Sequence, residues 1–174
     1  VRAQAAVAGR HDVWGGRLWQ EDGPKHRLGA SRLGCHFLGH LPKNKIRPAL
    51  PRFELFHGID SLALAQDLDR IAEEEGMRPR ILLEVNVAGE ASKHGFTPEV
   101  LRRELEAALS LGRLTIEGLM TIPPFAPAAE ASRQYFGSLR RLRDALDTGV
   151  AVQVPGPARD IAGAFWVRPR EGPT

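Results

Sequence analysis

Histidine, lysine and asparagine side chains fall in a few short stretches of this chain, and each stretch suggests one kind of chemistry. His36 and His40 are spaced i, i+4, which presents two imidazoles to one metal when both lie on a helix. Here they bracket a strand-to-loop transition, CHFLGH, with no set of cysteine or carboxylate ligands around them, so no metal site is expected. The run GHLPKNK places a glycine, two lysines and an asparagine where a phosphate could be met. It does not match the Walker loop, in which a hydroxyl follows the lysine. Ser92, Lys93 and His94 share a loop, but nothing sets a base against the hydroxyl, so a hydrolase triad is unsupported. His57, Asn86 and the pair Met120 and Thr121 lie at or near the ends of the apolar runs FELFHGI, LLEVNV and GLMTI. Each has a plainer role open to it: His57 and Asn86 can satisfy loop backbone, and Met120 can fill core.

The elements that must position these residues begin at Cys35 with CHFLG, a short apolar run ended by Gly39. After a proline-punctuated stretch to Pro51, FELFHGI (53–59) is the next strand. Asp60 or Ser61 then caps a helix whose apolar face is Leu62, Leu64, Ala65, Leu68, Ile71 and Ala72, with Gly76 at its end. ILLEVNV (81–87) is a strand, and Thr97 followed by Pro98 starts a helix that runs to about Leu111. TIEGLMTI (115–122) is a strand stopped by two prolines, and 128–147 is a helix with Phe136, Leu139, Leu142 and Leu146 on one side. VAVQV (150–154) could be a further strand.

Strands alternating with helices imply βαβ units and a parallel sheet, so the fold class is α/β. Units of about 30 residues suit a (β/α)₈ barrel, which typically needs about 250 residues, so 174 residues supply part of one. Three segments are expected: 1–34 irregular, 35–149 a partial barrel, and 150–174 irregular. In such a fold ligands bind at the C-terminal ends of the strands, which directs attention to His40, His57, Asn86, Met120 and Thr121.

Bulk properties narrow the classes further. No apolar run approaches the roughly 20 residues of a membrane helix, so no membrane role is expected. The net charge of +3 comes from 24 basic and 21 acidic residues scattered together, without the basic stripe and interleaved aromatics of a nucleic-acid binder. One cysteine excludes an internal disulfide framework, and the opening residues lack a signal-peptide core, which points to the cytoplasm.

Three blocks, HFLGHLPKNKIRPAL (36–50), LLEVNVAGEASKHGF (82–96) and GLMTIPPF (118–125), in this order and spacing, resemble the pyridoxal phosphate homeostasis family, relatives of the alanine racemase barrel domain. The resemblance implies a partial barrel of the alanine racemase N-terminal type and pyridoxal 5′-phosphate as cofactor. It also implies a role in vitamin B6 homeostasis without established turnover. Carried over, the family's loop after its third strand maps to Gly39, His40, Leu41, Asn44 and Lys45, with Pro42 in place of the usual glutamine. His40, Asn86, Met120 and Thr121 would then line the cofactor pocket. The family's Schiff-base lysine ends its first strand in a segment like AVSK, whereas the four lysines here, Lys25, Lys43, Lys45 and Lys93, follow no such strand. Its serine- and glycine-rich phosphate turn has no counterpart after Gly149. The expectation is a chain truncated or shifted in frame at both ends, defective in cofactor binding, and able to self-associate through open sheet edges. The alternatives are a non-binding remnant or interaction domain and a racemase or decarboxylase relative.

Overall fold

The computed structural model of the chain describes residues 11–15, 34–124, 129–146 and 165–167. They build one six-stranded sheet in the order β1 (His11–Gly15), β2 (Gly34–Leu38), β3 (Leu55–Ile59), β4 (Arg80–Glu84), β5 (Thr115–Thr121) and β6 (Phe165–Val167). The first five strands are parallel neighbours in sequence order, and β6 lies antiparallel to β5. All five residues of β3 are buried, as are four of five in β4, the near-continuous apolar pattern of strands covered on both faces.

The helices form where capping and periodicity agree. Ser61 accepts a hydrogen bond from the Leu64 amide at 3.3 Å and opens α2, after the short helix α1 (Ile46–Ala49); α2 spans Leu62–Glu74. Thr97 does the same for Val100 at 3.2 Å, with Pro98 in the first turn of α3 (Pro98–Leu109). A 3-10 turn leads into α4 (Arg133–Ala145), which buries Leu139 and Leu142.

Strand alternation divides the side chains between two faces. Phe37, Phe56, Ile81 and Leu83 join Leu64, Leu68, Leu101 and Leu139 of the helices in the main core. Leu55, Leu82 and Met120 form a second cluster, with Leu38 packed against it. Each fully buried Leu, Ile or Phe contributes about 1.5–3 kcal/mol, so the helix-covered face carries most of the stability.

Several elements depart from the sequence reading. β1 lies within 1–34, where no strand was expected, and pairs with β2 from His11 opposite Gly34 to Gly15 opposite Leu38. A strand held at the sheet margin by backbone pairing needs no apolar period, which is why HDVWG carries none. The proline-rich stretch before Pro51 holds a 3-10 turn and α1. β6 lies within 150–174, and its antiparallel course differs from the all-parallel barrel pattern. VAVQV and Lys25 lie outside the described residues.

Candidate functional site

The parallel strands bring four loop starts to one edge: Gly39 and His40 after β2, Asp60 after β3, Val85 and Asn86 after β4, and Ile122 after β5. The close fit of two of these depends on glycine. A Cβ on Gly58 of β3 would fall 2.2 Å from the Gly39 carbonyl oxygen, so only glycine lets the loop carrying His40 rest against β3. Gly95, at φ 113°, likewise brings the returning loop against β4, where Phe96 donates to the Glu84 carbonyl at 2.8 Å. The result is a cleft of about 190 Å³ lined chiefly by His40, Glu84, Asn86, Lys93, His94 and Ile122. A larger cleft of about 440 Å³ opens at the other end, beside Phe53, Met77 and Arg78. In parallel α/β folds that end serves stability and chemistry gathers at the C-terminal end, so the smaller cleft is the candidate site.

Electrostatics in the smaller cleft are set by buried acid. Glu84 is 6% exposed, and burial, reinforced by the charge of Asp60, raises its carboxyl to about 7 against the opposing pull of His40. Near neutral pH this group exists in both protonation states and can donate or accept a hydrogen bond. Asp60 receives His40 Nδ1 at 2.8 Å and faces His94 Nδ1 at 3.6 Å, while the two imidazoles stack with centroids 4.5 Å apart.

His36 and His40 part company. His36 points into the sheet, where its Nδ1 lies 3.1 Å from Nε2 of His57, and the two rings are buried. Burial and the neighbouring His36 lower the His57 ring to about 3, so it is neutral at physiological pH. The geometry makes His57 an interior polar contact on β3 rather than a cleft residue.

The four nominated residues separate in the same way. His40 lines the cleft and Asn86 borders it, but the Asn86 amide is committed to its own loop: Nδ2 donates to the Glu90 carbonyl at 2.8 Å and Oδ1 accepts from the Gly89 amide at 3.0 Å. Met120 is fully buried in the small apolar cluster. The Thr121 hydroxyl, also buried, donates to the Val85 carbonyl at 2.7 Å and ties the ends of β4 and β5 together. Sequence reasoning missed Glu84, and it named Asp60 only as a cap and His94 only as a loop residue. A glutamate inside the apolar run ILLEV was a signal for the first, since glutamate is rarely fully buried without a role. The other two meet only through folding.

The lysines bear on cofactor attachment. Lys43 pairs with Asp67 at 2.6 Å, Lys45 lies in the 3-10 turn before α1, and Lys93 reaches Glu90 at 3.3 Å on the cleft rim. Among the described residues no lysine ends a strand at the cleft.

Residues 4–158 match the family described as "Alanine racemase, N-terminal domain". A pyridoxal phosphate homeostasis protein of Aquifex aeolicus is 37% identical over 142 residues, covering 82% of this chain and 62% of the relative. Its counterpart in Pseudomonas aeruginosa is 37% identical over 175 residues, 95% of this chain and 74% of the relative. The structure of PipY from Synechococcus elongatus without pyridoxal phosphate is 37% identical with a TM-score of 0.63, over 68% of this chain and 55% of that one. PipY with pyridoxal phosphate bound is 36% identical with a TM-score of 0.61, over 68% and 54%. The chain thus spans 62% of the Aquifex relative and little more than half of PipY.

Proposed function

Because the chain belongs to the alanine racemase N-terminal-domain family and, within it, to the pyridoxal phosphate homeostasis proteins, we propose that it is a pyridoxal 5′-phosphate-binding protein of vitamin B6 homeostasis. The observation that carries this reading is the convergence of four strand ends on one cleft. PipY with pyridoxal phosphate bound supports the ligand class. When bound, the cofactor supplies an electrophilic aldehyde and an electron-withdrawing ring. His40 and Asn86 form the wall of the site, with Lys93 at its rim, while buried Thr121 ties β5 to the end of β4 and buried Met120 packs with Leu55 and Leu82. Glu84 offers a proton donor or acceptor at the cleft.

The single, buried Cys35 suits a reducing compartment, and we place the protein in the cytoplasm. No helix among the described residues is long and apolar enough to cross a membrane. β1 has a strand neighbour on one side only among the described residues, and we place self-association at that edge.

The test mixes the chain with pyridoxal phosphate, treats half with borohydride, and compares intact mass with equilibrium dialysis. The expected result is saturable, stoichiometric retention, with the borohydride arm reporting whether a lysine holds the ligand. Complete absence of retention would overturn the proposal and leave the second reading, a non-binding interaction domain.

A further inference from the structure

We propose that His40, Asp60 and His94 form a binding site for a divalent transition-metal ion, zinc being the ion their chemistry suits best. The three residues come from three different loops, after β2, after β3 and between β4 and α3, and fold to one point at the cleft rim. Their ligand atoms all lie within 4.8 Å of one another. Zinc binds imidazole nitrogen and carboxylate oxygen at about 2.0–2.2 Å, which sets neighbouring ligands of a tetrahedral site roughly 3.4 Å apart. The present separations of 2.8 Å from His40 to Asp60 and 3.6 Å from His94 to Asp60 bracket that value.

The exposure of the ligands is well distributed for closing on an ion. The Asp60 side chain is 9% exposed and held in place, whereas those of His40 and His94 are 48% and 63% exposed and can adjust by rotation about their side-chain bonds. The carboxylate is also oriented: the Ser61 hydroxyl donates to Asp60 Oδ1 at 3.2 Å, leaving Oδ2 toward the two imidazoles. Second partners of this kind are what fix a ligating group's direction in metal sites. The stacked rings, inclined by only 17°, present their Nδ1 edges side by side to that oxygen.

Two histidines and one carboxylate leave a fourth position open, as in zinc sites that hold a water or an exogenous ligand. Glu84 lines the same cleft as His40 and His94. A dication there would offset the carboxylate repulsion between Asp60 and Glu84. The inference does not depend on the cofactor reading, because every ligand belongs to the chain.

The test titrates the full chain, free of any affinity tag and stripped with a chelator, with cobalt(II), whose visible absorption reports coordination geometry. It then displaces cobalt with zinc. Pyridoxal phosphate is left out, so the outcome is separable from that of the cofactor test. The expected result is one equivalent of cobalt with an intense tetrahedral-type band, lost on adding zinc. His40→Ala and His94→Ala should each weaken binding on the order of tenfold or more. Both side chains are exposed, so the variants are expected to fold, and the urea midpoint of each verifies this. Absence of a stoichiometric band in the parent chain, or binding unchanged in both variants, would overturn the proposal.

Discussion

Replacing Gly58 with alanine tests whether the cleft is built by contact of two backbones. A Cβ at this position would stand 2.2 Å from the Gly39 carbonyl oxygen and 2.7 Å from its carbon, where ordinary contact begins at 3.4 Å. Relief therefore requires more than 1 Å of movement by backbone, not by the end of a flexible side chain. Forcing volume into packed structure costs typically about 1–3 kcal/mol. The lower backbone entropy of alanine in the unfolded chain returns about 0.4–1 kcal/mol. The net expectation is a loss of roughly 1–2 kcal/mol, at the upper end if β3 cannot shift. With a urea slope of about 1–3 kcal/mol/M, the midpoint falls by on the order of 1 M. Urea unfolding followed by circular dichroism measures it, with Gly112→Ala as control because a Cβ there meets nothing within 4 Å. The reasoning fails if Gly58→Ala unfolds at the parent midpoint, or if the control loses as much.

Three further outcomes follow from the buried polar groups and caps. Glu84 is raised from 4.5 to about 7, so folding disfavours its ionised form, and stability present below pH 4.5 is lost as pH rises to 7, by up to about 3 kcal/mol. His57 is depressed from 6.5 to about 3, so its contribution has the opposite sign: it is present above pH 6.5 and is lost as pH falls toward 3. The two contributions oppose each other between pH 4.5 and 6.5. Glu84→Gln should therefore raise the urea midpoint at pH 8 and expose a loss of about 2–3 kcal/mol on acidification across that window, and an unchanged pH profile would contradict both assignments. Thr121→Val removes a buried hydrogen bond to the Val85 carbonyl and should cost about 1–2 kcal/mol, measured by thermal or urea unfolding. Thr97→Ala removes the α3 cap and should cost about 1 kcal/mol, with Thr97→Ser restoring most of it.

Much of the central architecture was legible because local chemistry and tertiary role agreed there. The strand runs around Phe37, Phe56, Leu82 and Leu119 are apolar enough to be buried, and the starts of α2 and α3 carry capping hydroxyls that the folded helices use. The resemblance carried by residues 36–50, 82–96 and 118–125 and the α/β class needed no coordinates. The margins were not legible. HDVWG and FWV form strands through backbone pairing with β2 and β5, and main-chain hydrogen bonds leave no mark on side-chain periodicity.

The site divides along the same line. Sequence alone determined which residues stand at strand ends, including His40 and Asn86, because strand termini follow from apolar runs and the residues that stop them. Only the tertiary structure decided that His36 turns inward to His57 while His40 turns to Asp60 and His94, and that Met120 and Thr121 are buried. It alone gave Glu84 its raised proton affinity. Those outcomes depend on which groups share a low-dielectric space, and residues far apart in the chain come to share one only when parallel strands bring their ends to the same edge.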